Sequence, residues 1–174
     1  MRRRKILQTL SVIVLLPITS LINFSRGFAN PVTPEDLKPL NKPPKTWRKY
    51  LSPEAYQVLF EQQTEDANSS ELNQEHREGT YICAACYLPL FQSIHKYESV
   101  SGWPSFAQSI PNHVSTQLDD SIGIIRTEYH CVRCGGHQGH VFKDGPPPTG
   151  ERWCNNGLSL KFIASTDSLP SLRI

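Results

Sequence analysis

The chain of 174 residues has no acidic residue before Glu35. In that acid-free stretch Arg2-Arg3-Arg4-Lys5 precede an apolar run from Ile6 to Phe24, and Gly27-Phe28-Ala29 offers small residues for cleavage before Asn30. This is the pattern of a targeting leader over residues 1–29. Pro17, Thr19, Ser20 and Asn23 interrupt the run. That favours a removed leader over a stable span, which needs about 20 mainly apolar residues. An uncleaved N-terminal anchor is the alternative. Arg3-Arg4-Lys5-Ile6-Leu7 loosely resembles a twin-arginine export signal. No other segment reads as a membrane span. A basic excess is missing too. Five of the 18 Lys and Arg fall in residues 1–29 and none of the 16 acids do, so the remainder carries 13 against 16, or −3. That balance argues against nucleic acid as a partner. There is no internal repeat beyond two short cysteine pairs.

Proline is plentiful, at 14 residues, which favours a loop-rich fold over a helical bundle. Residues 30–46 are proline-rich and polar and read as a linker, leaving 47–174 as one domain. A helix is expected between Trp47 and Thr64, capped by Ser52, with Pro53 in its first turn and Ala55, Tyr56, Leu59 and Phe60 at helical spacing. Residues 65–79 are polar and read as a loop. Beyond Thr80, strands are expected from Ile122 to Tyr129 and from Leu158 to Phe162, where apolar and polar positions alternate. Gly145-Pro146-Pro147-Pro148-Thr149-Gly150 can only be a turn-rich connection. The expected fold is mainly β and antiparallel, with one or two N-terminal helices.

Five cysteines divide into two groups. Cys83-x₂-Cys86 and Cys131-x₂-Cys134 form two hairpins separated by 44 residues. Four thiolates in this arrangement suit one closed, tetrahedral, structural Zn²⁺. Disulfides, which an exported protein invites, and a thioredoxin-like redox pair are the alternatives. Cys154 stands alone in Glu151-Arg152-Trp153-Cys154-Asn155-Asn156-Gly157. If that stretch is extended, Arg152, Cys154 and Asn156 share a face, and the guanidinium should lower the thiol pKa. An inert buried cysteine is the bland alternative. His137 and His140 flank a glycine turn, and a His-x-x-His pair alone is more often structural. Trp103, in Ser101-Gly102-Trp103-Pro104-Ser105-Phe106, could present an aromatic face to an apolar ligand or simply pack.

Taken together, Gly79-Thr80-Tyr81-Ile82-Cys83-Ala84-Ala85-Cys86, Leu90-Phe91, Lys96-Tyr97, Gly102-Trp103-Pro104-Ser105-Phe106, Arg126-Thr127-Glu128, His137-Gln138-Gly139-His140-Val141-Phe142, Asp144-Gly145-Pro146 and Arg152-Trp153-Cys154-Asn155-Asn156 resemble the type B methionine sulfoxide reductases over residues 47–164. The resemblance implies two antiparallel sheets, a four-cysteine zinc knuckle pair and reduction of the R epimer of methionine sulfoxide. It makes Cys154 the nucleophile, with Arg152 and Asn156 as its polar flanks. Trp103 and Phe142 fall to the substrate, and His137 and His140 to the sulfoxide oxygen. It also implies repair of oxidised proteins by a monomer, with no role for nucleic acid.

The sequence departs from the family pattern in two places. Ser101 stands where many members carry a resolving cysteine, so a one-cysteine enzyme recycled by thioredoxin, glutaredoxin or glutathione is expected. Asp66-Ala67-Asn68 replaces an arginine-proline-phenylalanine run. The leader implies export to a periplasm or thylakoid-type lumen, with a plastid as the alternative. A zinc-binding interaction module and a thiol peroxidase are the rival readings. The first leaves Cys154 and the histidine pair without purpose, and the second has no reason to prefer one epimer.

Overall fold

Alternation of side chains across strands decides which residues are packed and which are left for chemistry. A computed structural model describes residues 31–174, so the leader reading lies outside the described residues. Two antiparallel sheets form the domain. The smaller has the order β2–β1–β9, with β1 at Gly79–Cys83, β2 at Pro89–Gln92 and β9 at Leu160–Ala164. The larger has the order β3–β4–β8–β7–β6–β5. Its strands are β3 Lys96–Tyr97, β4 Ser105–Phe106, β5 Val114–Asp119, β6 Arg126–Cys131, β7 His137–Phe142 and β8 Arg152–Asn155.

The sheets meet through aromatic rings. Phe91 of β2 stacks on Phe106 of β4 at 4.3 Å between centroids, and Tyr81 of β1 meets Phe106 edge-on at 4.8 Å. Tyr129 of β6 meets Trp153 of β8 at 4.9 Å. All of these rings are buried, and burial of a side chain of this size contributes roughly 1.5–3 kcal/mol. Because successive side chains alternate faces, sending Phe106 and Trp153 inward turns Ser105 and Cys154 outward.

The expected N-terminal helix is divided. A 3₁₀ helix covers Pro44–Tyr50 and buries Trp47, and α1 covers Pro53–Glu61. The break falls at Ser52, which precedes proline and is held extended (ψ 159°). Its hydroxyl accepts the Ala55 N–H at 3.2 Å as the N-cap. The segment read as a linker carries a further 3₁₀ turn, Pro34–Leu37, and its Val32, Leu37 and Leu40 pack against the core.

Two strand expectations shift. Ile122, Ile124 and Ile125 lie in the turn between β5 and β6 and are exposed, so the strand begins only at Arg126. The Leu158 strand begins at Leu160, because a 3₁₀ turn occupies Gly157–Ser159. Among the described residues no helix is long and apolar enough to cross a membrane.

Candidate active site and metal centre

One transverse row crosses all six strands of the larger sheet. Tyr97 pairs with Ser105, Ser105 with Cys154, Cys154 with His140, His140 with Glu128, and Glu128 with Gln117. Directly opposed residues of an antiparallel pair lie on the same face, so six chemically active side chains are set side by side.

His137 joins them through a bulge. Residues three apart on a regular strand face opposite ways, yet His137 and His140 have ring centroids 5.5 Å apart. Between Tyr129 and His130 the register slips: Tyr129 faces Gly139 but His130 faces His137. Gln138 is the extra residue, and the bulge it makes brings His137 round to the face of His140. Close approach also explains Gly139, where a Cβ would meet the Cys154 carbonyl oxygen at 1.9 Å.

The electrostatics separate the two histidines. His137 Nδ1 is hydrogen-bonded to Glu128 Oε1 and the ring is buried. Burial pushes its pKa down to about 4, with the Glu128 charge opposing that shift. His137 is therefore neutral at physiological pH, its Nδ1–H donated to the carboxylate. Burial alone would raise Glu128. The Gln117 amide, at 2.8 Å from Oε2, and the neighbouring imidazoles His130 and His137 outweigh it and keep the carboxyl below its ordinary range. His140 Nε2 lies 2.7 Å from Asp119 Oδ2. Hydrogen bonds from Ser121, together with His140 and Arg126, hold Asp119 well below the usual carboxylate range.

Arg152 and Cys154 do share a face. The guanidinium grips Asp144 with two bonds of 2.9 and 3.0 Å and lies 4.3 Å over the Phe142 ring. It favours the thiolate, as do the hydroxyls of Ser101 and Ser105, but burial is the larger effect and the Cys154 thiol sits above its ordinary range. The expected net lowering is thus corrected: the sulfur is too well covered for one guanidinium, itself engaged by Asp144, to prevail. Ser99 ties the two hydroxyls together, with Oγ–Oγ distances of 2.7 Å to both Ser101 and Ser105. Asn156 is engaged by backbone groups. β8 ends at Asn155, and the Asn156 amide accepts the Glu65 N–H at 3.0 Å and donates to the Gln138 carbonyl at 3.2 Å. It braces the backbone at both of these positions.

Trp103 is positioned from two sides. Gly102, at φ +93°, turns the loop where a Cβ would press to 2.9 Å from the Ala67 side chain. The indole N–H donates to the Glu65 carbonyl at 3.1 Å. Glu65 was not visible as a site residue in the sequence, where it opens a polar stretch. The same is true of Asp119 and His130. Glu128 carried a faint signal as part of Arg126-Thr127-Glu128.

Cys83, Cys86, Cys131 and Cys134 converge, with all four sulfurs within 4.8 Å of one another. The Cys83–Cys134 and Cys86–Cys131 separations are 3.6 and 3.5 Å. Those lengths do not describe disulfides. They approach the ~3.8 Å edge of a tetrahedron with metal–sulfur bonds of ~2.3 Å, and four clustered, largely buried thiols have no other way to ionise together. The donor set therefore fits a closed metal site. Gln138 connects it to the row: its Nε2 donates to Cys83 Sγ at 3.6 Å, and its carbonyl accepts from Asn156.

Known proteins resemble the chain over most of its length. The SelR domain family matches residues 51–164. The chain is 52% identical over 124 residues to the peptide methionine sulfoxide reductase MsrB of Leptospira interrogans, covering 71% of this chain and 95% of that protein. It is 50% identical over 122 residues to the protein of that name from Bradyrhizobium diazoefficiens, covering 70% and 88% respectively. With the one from Thiobacillus denitrificans it shares 50% over 123 residues, covering 68% and 93%.

Proposed function

The chain belongs to the SelR family of MsrB methionine sulfoxide reductases and is an oxidoreductase, and on that footing we propose that it reduces methionine-R-sulfoxide in oxidised proteins, using Cys154 as nucleophile. The row that sets Cys154 between Ser105 and His140 carries this reading. The Cys154 sulfur attacks the sulfoxide sulfur while the oxygen receives a proton and transfers to Cys154, leaving methionine and a Cys154 sulfenic acid. The methionine sulfur gains two electrons and the cysteine sulfur loses two.

His140 is the proposed proton donor. Its Nε2 is fixed on an ionised Asp119, which leaves the other ring nitrogen for substrate. His137, held neutral with its proton on Nδ1, offers Nε2 as an acceptor to the oxygen's hydrogen once that oxygen is protonated. Trp103 and Phe142 bound the space for the S-methyl group. Arg152 steadies negative charge on the reacting sulfur, and Asn156 holds Glu65 and hence Trp103 in place.

Cys83, Cys86, Cys131 and Cys134 would hold one Zn²⁺, which joins the two hairpins and leaves no open position for chemistry. No other cysteine remains to resolve the sulfenic acid, because Ser101 occupies the nearby position. Two equivalents of an external thiol, from thioredoxin, glutaredoxin or glutathione, would return Cys154 to the thiol and release water. We further propose a monomer that is exported with its zinc already bound, since zinc thiolates form poorly where thiols are oxidised.

The test is reduction of R- and S-methionine sulfoxide peptides with dithiothreitol, beside Cys154→Ser. R-selective turnover lost in the variant is expected. A folded, zinc-loaded protein that turns over neither epimer would return the chain to a zinc-binding interaction module.

A further inference from the structure

His130 has no part in the reduction proposed above, yet it stands at the same bulge. Its Nε2 lies 3.0 Å from Glu128 Oε1, the oxygen that His137 Nδ1 also contacts. The ligand atoms of Glu128, His130 and His137 all fall within 4.8 Å of one another. Two imidazole nitrogens and one carboxylate oxygen converging on one point is a donor set for a first-row transition ion with open coordination positions.

We propose that Glu128, His130 and His137 form a second, exchangeable metal site, distinct from the four cysteines, whose occupation arrests the reductase.

The surroundings suit such a site. Gln117 fixes Glu128 by its other oxygen at 2.8 Å, the kind of outer contact that orients a ligating carboxylate. The bulge at Gln138 places His130 directly opposite His137. Access is from one side: the His130 side chain is 14% exposed, whereas Glu128 and His137 are at 5% and 3%. The donors are nitrogen and oxygen without sulfur, so Zn²⁺, Co²⁺, Ni²⁺ or Cu²⁺ fit better than Ca²⁺ or Mg²⁺. Binding would take up His137 Nδ1 and Glu128 Oε1, displacing the proton they share and fixing the ring away from substrate. Unlike the buried cysteine site, this one would load and empty without unfolding.

Co²⁺ titration into the protein already holding one Zn²⁺ per chain tests the proposal. One further equivalent should bind, giving weak visible bands of nitrogen and oxygen coordination without a thiolate charge-transfer band. His130→Ala, with His130→Asn as a second variant, should weaken that equivalent at least about tenfold and retain the zinc. Reductase activity, each protein measured against its own metal-free rate, should fall on Co²⁺ addition in the parent and need at least about tenfold more in the variants.

No second equivalent, a second equivalent unmoved by either substitution, or a thiolate band placing the ion on Cys154 would overturn the site. The binding arm uses no substrate. The inhibition arm rests on the proposed part of His137 in reduction, so a protein that binds the ion but reduces no sulfoxide would sink that function and leave the site standing.

Discussion

Glu65 and Trp103 lie thirty-eight positions apart and are joined by a single bond, the indole N–H to the Glu65 carbonyl at 3.1 Å. The same glutamate sends its carboxylate the other way, accepting the Gly157 and Leu158 N–H groups at 2.6 and 2.8 Å. One residue thus sets the distance between the aromatic loop and the end of the strand that carries Cys154. Its side chain is buried, which raises its pKa, and the two amides counter part of that rise.

Removing this carboxylate should therefore be felt twice. Glu65→Ala leaves one buried and one part-buried amide donor unpaired, and we expect a loss of about 1–3 kcal/mol in urea unfolding. In the folded fraction kcat/KM should fall about tenfold or more as Trp103 loosens. Full activity in a destabilised variant would show that the indole needs no such brace.

Cys154 offers a second prediction. Burial places its thiol above the ordinary cysteine range, so the thiolate fraction at neutral pH is small. Alkylation of the free enzyme by iodoacetamide should rise about tenfold per pH unit through neutrality. Arg152→Met removes a charge that favours the thiolate, so it should lower the rate at pH 7 by about three- to tenfold. A rate that levels off below pH 7 would contradict the burial argument.

Ser101 bears on recycling. Its hydroxyl is near enough to Cys154 to bias the thiol, and a thiol placed there should reach the sulfenic acid. One turnover without reductant should leave a dimedone-reactive Cys154 in the parent protein. In Ser101→Cys it should instead leave a disulfide between the introduced thiol and Cys154. A disulfide to Cys154 in the parent would show that one of the four hairpin cysteines resolves it.

His137 links pH to stability. Its folded pKa, about 4, lies below the ~6.5 of an unfolded histidine. Between these values the unfolded chain binds the extra proton and the folded one does not. Stability is then complete above about pH 6.5 and is lost as pH falls toward 4. The contribution is on the order of 1–3 kcal/mol. His137→Gln should flatten this part of the curve; zinc release on acidification is common to both proteins and cancels in the difference. Parallel curves would mean that His137 stays protonated against Glu128.

The residues most legible in the sequence were those whose type and spacing already contain their chemistry. Two C-x-x-C hairpins name a metal site before any fold is known, and alternation sufficed to put Arg152 beside Cys154. It did not show that the Asn156 amide is engaged by Glu65 and Gln138, partners 91 and 18 residues away. Asp119 and Glu65 were illegible for the same reason. Their partners, His140 and Trp103, are 21 and 38 residues away, and only the folded register brings them together. The isoleucines before Arg126 misled because β-branched residues favour strands, but here they fall in a turn with no facing strand to pair with.

The extra residue in β7 behaves as a frameshift does in a coding sequence. On either side of Gln138 the strand reads inside and outside in regular alternation, but the two readings are out of phase. Both phases are in use: one gives His140 to the outer face, and the other delivers His137 to the same face from three positions back. Deleting Gln138 would restore a single phase with His137 and His140 two positions apart and still on one face, so a one-residue loss would spare both imidazoles and remove instead the amide that reaches Cys83.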